Sequence, residues 1–563
     1  MRAPDRNRTH LPGPRPARAV AHTATAVVLL LTLPHLAAPP HLTAQDADLE
    51  RGAELYDRWC AACHGFEGDG QGPAAEYMLP RPRDFTGGIY QIRTTRGGEL
   101  PTDDDILRMI DEGMPGTTMP GWEGFLSRAD REALVEYLKS FYPPFETMGE
   151  PEAVDFGRAP RATDEALEQG RILFDSIECY QCHGGMGRGD GGSVPDLEDD
   201  WGNPIRPADL HMNWRFNGGG SVEEIYRRLY TGMDGTPMPA HSDLVDAGII
   251  TEDDLWSVAH YVRSLSPDRP PRIREVIRVD RTEPGELPSS VDDERWEEAE
   301  AFYIPLVAQI IVMPRWFDPS VKAVWVEGLH DGEELALRLT WHDPSQSPDP
   351  AWMEWQERIL EAMEPKEGDE LEAGPRPDRF ALQFPRSIPD EARFPYFLMG
   401  DDRDPVHLWR WRSDEAGIEN AIAMGMTEIT PLDGTEVQAD AQWEDGRWRL
   451  VLRRSLEADN PDEEIEFEEG VSIPVAFYAW DGDHGEEGTR GAVTSWYFLH
   501  LMEETPVTVY VAPVAAALLT AGLGILAVLR AQRREERAEA PVPEDRPVAP
   551  GDGHGEPQPE TGG

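Results

Sequence analysis

Lysine is nearly missing from this chain: Lys139, Lys322 and Lys366 are the only three in 563 residues. The basic residues are therefore almost all arginine, and acid outweighs them. There are 106 Asp and Glu against 52 Lys and Arg, a formal net charge of −54. Such a balance repels a phosphate backbone and excludes nucleic-acid binding. It favours solubility and draws positively charged partners from a distance. Cysteine is scarce too, with only four residues. No nucleophile–base constellation or catalytic carboxylate pair stands out, so substrate chemistry is not expected of this chain.

The four cysteines occupy two copies of one motif, Cys60-Ala-Ala-Cys63-His64 and Cys179-Tyr-Gln-Cys182-His183. No sulfur is left for a disulfide. Cys-x-x-Cys-His is the attachment pattern of c-type haem. Two thiols form thioethers to the porphyrin, and the next imidazole reaches the iron. A redox dithiol or half a zinc site would use the Cys-x-x-Cys part alone. The copies extend further. The first cysteines are 119 positions apart (60 to 179), and so are Met119 and Met238. Their contexts match: Gly113-Met114-Pro-Gly-Thr-Thr-Met119-Pro and Gly232-Met233-Asp-Gly-Thr-Pro-Met238-Pro. Gly52 to Tyr56 parallels Gly170 to Phe174, and Tyr137 parallels Tyr261. A repeat this long suits tandem domains rather than a solenoid. Each copy predicts a helix before the motif with Leu55 and Trp59 on one face, a Gly-rich passage, a short helix (103–112; 222–230) and a closing helix (128–141; 251–265).

Both repeats resemble class I cytochrome c domains. The resemblance implies two all-α domains, at 45–149 and 166–267, with a linker at 150–165. It also implies two covalent haem c groups and the axial pairs His64/Met119 and His183/Met238. Met114 and Met233 compete for the axial role; the Pro following Met119 and Met238 favours those two. His/Met ligation raises the potential, and speaks against the open haem site a peroxidase would need.

Residues 1–44 read as an export signal, with an arginine-bearing front, an apolar core at 24–33 and small residues at Ala37, Ala38 and Ala44. A second apolar run, 506–529, is long enough to span a bilayer. Arg530, Arg533, Arg534 and Arg537 follow it, which places the C-terminus in the cytoplasm and the main body on the periplasmic side of the cytoplasmic membrane. The tail at 530–563 is Pro/Gly/Glu-rich and is expected to be disordered.

After a Pro-rich linker at 268–287, residues 288–502 change to strand patterning. Short alternating runs such as 334–341, 379–384, 448–453 and 471–480 are separated by Asp-Gly turns, and Asp445-Gly446 predicts a hairpin. An antiparallel, all-β sandwich is expected. The stretches Phe380 to Pro385, Pro395-Tyr-Phe-Leu-Met399-Gly, Val406 to Trp411, Trp443 to Trp448 and Ile473 to Trp480 resemble the haem-b-binding subunit of ethylbenzene dehydrogenase. Related γ subunits serve other type II molybdenum enzymes of the dimethyl-sulfoxide-reductase family. The resemblance implies one non-covalent haem b with Met399 as a ligand. The family's lysine ligand does not carry over; Thr489-Arg490-Gly491-Ala492 stands there, and arginine stays protonated. His484 is the substitute candidate, ahead of His407 and His500. The expected function is a non-catalytic, membrane-anchored electron relay between a periplasmic molybdenum/iron–sulfur oxidoreductase and the respiratory chain, with soluble or membrane electron carriers as further partners. The alternative is a dihaem cytochrome fused to a haem-free, carbohydrate- or ligand-binding sandwich.

Overall fold

The computed structural model describes residues 44–149, 151–363, 372–389, 393–504 and 507–538. The expected export signal, all but its last residue, and the tail beyond 538 lie outside these.

The first domain holds α1 (Ala44–Trp59), α2 (Ala61–His64), α3 (Asp103–Glu112), α4 (Arg128–Ser140) and α5 (Pro144–Met148). The second repeats the set: α6 (Asp164–Ser176), α7 (Tyr180–His183), α8 (Val222–Thr231), α9 (Ser242–Asp246) and α10 (Glu252–Ser264). Hydroxyl side chains of Thr102, Ser127, Thr163, Ser221 and Thr251 cap five of these helices. Each accepts from a backbone N–H that the first turn leaves without a helical partner. The paired glycines explain how the helices cross. A Cβ on Gly52 would lie 2.2 Å from the Ala133 carbonyl oxygen, and one on Gly170 would lie 2.1 Å from that of Ser257. Only glycine lets α1 touch α4, and α6 touch α10, so closely. Tyr56 packs on Tyr137 at 5.4 Å and Phe174 on Tyr261 at 5.6 Å beside those crossings. The face of α1 buries Leu55 and Tyr56, whereas Trp59 stays 42% exposed, against Trp122.

The third domain contains β1 (Val276–Arg281), β2 (Phe302–Pro305), β3 (Val307–Ala308), β4 (Ala323–His330), β5 (Glu334–His342), α11 (Met353–Met363), β6 (Arg379–Pro385), β7 (Val406–Arg412), β8 (Ile418–Ala423), β9 (Ile429–Pro431), β10 (Gln438–Glu444), β11 (Arg447–Ser455), β12 (Ser472–Trp480), β13 (Ala492–Val493) and β14 (Tyr497–Leu501). The main path runs β10-β11-β5-β4-β1-β14-β12-β6-β7-β8-β9. It folds over itself into two layers. Trp341 on β5 meets Phe380 on β6 at 4.7 Å and Trp411 on β7 at 5.7 Å, although β5 is bonded to neither strand. The expected hairpin forms, with Asp445 and Gly446 at positive φ between β10 and β11.

Two expectations need correction. The sandwich is mixed rather than purely antiparallel: β1 pairs in parallel with both β4 and β14. That strand lies inside the stretch read as a linker, 268–287. Ile277 and Val279 are fully buried in the sheet, but the surrounding prolines masked so short an alternation. α11 is a helix within the third domain. It packs on the equivalent 3-10 turns Ala75–Tyr77 and Val194–Asp196 of the two helical domains and so braces both.

The last helix, α12 (Val507–Ala538), has 32 residues. Its apolar part, with a mean hydropathy of 2.2, is exposed along its length and is long enough to cross a membrane. The helix continues through Arg530 to Arg537 to Ala538, so the start of the tail expected to be disordered is helical.

Candidate functional site

Each Cys-x-x-Cys-His motif straddles a single helical turn. The amide of His64 donates to Cys60 O at 2.9 Å, and that of His183 to Cys179 O at 2.9 Å. The turn brings both sulfurs and the imidazole to one surface. Burial pushes the Cys60 and Cys179 thiols up to about 12. A redox dithiol works through a lowered thiol pKa, so that chemistry is disfavoured. Zinc is disfavoured as well. Among the described residues, the one convergent group of three or more His, Cys, Asp or Glu side chains is Asp343, Asp378 and Asp481, all in the third domain.

The histidines are held by the loop that follows. His64 Nδ1 lies 3.0 Å from the Arg83 carbonyl, so Nδ1 carries the proton and Nε2 is free. Burial keeps this imidazole below its ordinary pKa, hence neutral. In the second domain the Ala208 carbonyl faces His183 from the corresponding place, outside hydrogen-bond geometry, and Nδ1 has no partner among the described residues. Pro82-Arg83-Asp84-Phe85 and Pro207-Ala208-Asp209-Leu210 are structural equivalents. The Phe85 amide donates to Gly68 O, and that of Leu210 to Gly187 O, both at 2.7 Å. A Cβ on Gly70 or Gly189 would stand 2.7 or 2.8 Å from the carbonyl of Pro82 or Pro207, and both glycines have φ of +73°. The constant 119 offset hid this pair, because the second copy has six extra residues before it.

The methionine loops are duplicates. The Met114 amide donates to Met119 O and that of Met233 to Met238 O, both at 3.1 Å. Thr117 Oγ1 accepts from the Met119 amide and Thr236 Oγ1 from that of Met238, both at 3.2 Å. All four methionines border the space in front of the histidines.

Both histidines, all four cysteines and both loops open into one cavity of about 1350 Å³. A single small-ligand site occupies about 300–1,000 Å³, so this space suits two large groups side by side. Its wall carries buried donors with no acceptor among the described residues: Arg83 Nη1, Tyr90 Oη, Trp122 Nε1, Arg206 Nε and Arg228 Nη1. Buried donors are ordinarily paired. Haem brings the missing acceptors, its propionate carboxylates, so the residues present fit two haem c groups. Contacts between the helical domains hold the two halves of the cavity together. Arg93, its side chain fully buried, binds Asp234 at 2.7 Å and Thr231 O at 2.9 Å, and Arg108 pairs with Glu224 at 2.7 Å.

The third domain also walls this cavity. Arg206 of the second domain reaches His484 Nδ1 at 2.8 Å and stacks over Trp355, 5.1 Å from its ring centre. Burial and the facing Arg206 hold His484 well below its ordinary pKa. Nδ1 therefore accepts, and Nε2–H donates to Asp318 O at 2.9 Å. Both nitrogens of His484 are engaged.

Met399 stands elsewhere. It is 2% exposed within an apolar cluster that includes Leu398, Val406, Leu408 and Met426. Its backbone is at φ 60°, with its amide donating to Gln383 Oε1 at 2.8 Å and lying 3.1 Å from Tyr478 Oη. Met399 and His484 share none of these neighbours. His407 is turned to the opposite face, among Phe384 and Trp409, and His500 bonds Ser472. Arg490 is paired with Glu487. None of the three candidate histidines stands with Met399, so none of them supplies the second donor of a haem b there.

Comparison with known proteins identifies the families of the three domains. Residues 47–138 match the family of cbb3-type cytochrome c oxidase subunit III, and 167–266 match cytochrome c. Residues 293–428 and 425–492 match ethylbenzene dehydrogenase. A "Putative respiratory nitrate reductase heme subunit ORF7" from Haloferax mediterranei is 27% identical over 212 residues, 37% of this chain and 67% of that protein. The chlorate reductase subunit gamma of Ideonella dechloratans is 29% identical over 129 residues, 22% of this chain. The match spans 49% of that subunit, about half its length. A cytochrome c of Gibberella zeae is 31% identical over 99 residues, 16% of this chain and 92% of that protein.

Proposed function

Because this chain belongs to the cytochrome c family through two tandem domains, and carries an ethylbenzene dehydrogenase domain behind them, we propose that it is the electron-relay subunit of a respiratory molybdenum reductase complex. The observation that carries the reading is the shared cavity, with His64 and His183 in one wall system and two duplicate methionine loops. Haem supplies the redox chemistry when bound; the protein supplies attachment, axial donors and a dry, oriented setting. Cys60, Cys63 and His64 would hold one haem c, and Cys179, Cys182 and His183 the other. Met119 and Met238 would complete the two irons. Arg83, Tyr90, Arg206 and Arg228 would bind propionates and keep water out.

The third domain would dock the molybdenum and iron–sulfur partner, as the named nitrate and chlorate reductase relatives suggest. The apolar α12 would anchor the assembly in the cytoplasmic membrane, with its arginine end in the cytoplasm and the haem domains on the periplasmic side, where soluble or membrane electron carriers collect the electrons.

The test is haem counting and turnover. Pyridine haemochrome analysis should give two c-type haems per chain, both reducible, and dithionite-reduced protein should be reoxidised by the partner reductase when nitrate or chlorate is added. A single haem, or no reoxidation with an active reductase, rejects the relay. The family's haem b would have Met399 as a protein donor, with none of His484, His407 and His500 placed to be the second. Acidified-acetone extraction decides it: b-type haem in the extract adds a third centre, and none leaves two.

A further inference from the structure

The two methionine turns repeat in backbone but differ in what grips them. Thr117 and Thr236 hold the Met119 and Met238 amides alike. One position after Met114 and Met233, however, stands Pro115 in the first copy and Asp234 in the second. Proline has no side-chain acceptor to offer a neighbour. Asp234 has two oxygens, and the first domain takes both. Its Oδ1 accepts from Arg93 Nη2 at 2.7 Å, and its Oδ2 accepts from the Gly98 amide at 3.0 Å.

The grip comes from a fixed group. The Arg93 side chain is fully buried. Within its own loop Nε donates to Arg96 O at 3.1 Å and Nη1 to Tyr90 O at 3.0 Å. Nη2 also donates to Thr231 O at 2.9 Å, at the end of α8. A planar guanidinium held by this many bonds has little play. Next along the turn, a Cβ on Gly235 would stand 2.7 Å from Arg83 Nη1 and 2.8 Å from the Trp201 ring. Arg83 lies over that ring, 4.6 Å from its centre. The first domain thus meets the second turn at Asp234 and at Gly235. The reciprocal contact is a backbone approach: a Cβ on Gly116 would lie 2.5 Å from the Arg215 carbonyl oxygen.

We propose that Asp234 is a positioning residue through which the first domain fixes Met238 in place, an inference that rests on Met238 as the sulfur donor of the second haem. A histidine ligand is oriented by a hydrogen bond to its other nitrogen. Methionine has the sulfur alone, so its place is set by the turn that carries it. A ligand held this way needs rigid support around it, and here that support crosses the domain boundary. His/Met ligation raises the potential, so loosening the turn lowers it. The potential of the second haem therefore depends on the contact between the domains. The Met119 turn, with Pro115, has no equivalent side-chain tie.

The experiment uses the full-length holoprotein in detergent, in a Met119→Ala background, where the remaining sulfur-to-iron charge-transfer band belongs to the second haem. Adding Asp234→Ala should remove most of that band. It should also cut the second haem's reduction equilibrium constant at least tenfold, about 59 mV for one electron, while two c-type haems per chain remain. Asp234→Asn, which keeps an acceptor for Arg93, should retain the band. Arg93→Ala, made in the other domain, should weaken it as Asp234→Ala does. An unchanged band and midpoint potential in Asp234→Ala overturn the proposal. Should that variant fail to fold, Arg93→Ala decides in the same way. A Met119→Ala protein with two haems and no band overturns the Met238 assignment and this proposal with it, whereas haem counting and reoxidation judge the relay separately.

Discussion

Met119 and Met114 sit on the same loop, bonded to each other through the backbone, so substitution separates their roles. Met119→Ala is expected to abolish one haem's sulfur-to-iron charge-transfer band and lower its midpoint potential, whereas Met114→Ala keeps the band; oxidised-state spectra of the two variants check this. His407 offers a pH test. Burial, then the Arg454 charge, lower its pKa from 6.5 to about 3. Between those values the unfolded chain takes a proton that the folded one refuses. Stability is therefore full above pH 6.5 and is lost as pH falls toward 3, by up to ~5 kcal/mol. Thermal melts across that range should show a slope that His407→Gln flattens. At this scale the sequence disclosed the residues bearing their own signature: cysteines, histidines and duplicated methionines. It did not disclose the Arg83 and Ala208 carbonyls or Arg206, because a backbone oxygen carries no side-chain signal and Arg206 acts across a domain boundary.

At the scale of elements, the helix crossings and the domain contacts carry the strain of any change. Gly52→Val would drive a side chain into the Ala133 carbonyl, and overpacking of this kind costs about 1–3 kcal/mol or more; denaturant titration of the haem-loaded protein should show at least that loss. Arg93→Ala removes the buried member of a pair between the helical domains; Asp234, the member left behind, is partly solvated, so the loss stays below the ~3–5 kcal/mol of a fully buried pair. The expected outcome is faster proteolysis between residues 151 and 163 with haem content unchanged, read by limited digestion. The helices were legible because caps and 3.6-residue periodicity agree. β1 was not, since six residues between prolines resemble a linker until β4 and β14 flank them. Nor was α11 as a brace, because its role lies in what it touches.

For the whole molecule, the −54 charge makes encounter with a positively charged partner fall steeply with salt. Stopped-flow oxidation rates at rising ionic strength should drop for a basic acceptor and rise for an acidic one. The tandem architecture was readable from one repeat distance; the common chamber was not, because a repeat says that two units exist and nothing about how they face. That chamber has a consequence for biosynthesis. Arg93 and Arg108 join the helical domains and α11 packs on both, so haem attachment at both motifs, as proposed above, requires all four thiols to be reached before these contacts form. On that reading the two domains stay apart until both porphyrins are attached, and docking of the third domain comes last. A chain whose second motif is disabled should stall as an open, protease-sensitive precursor rather than mature as a monohaem protein.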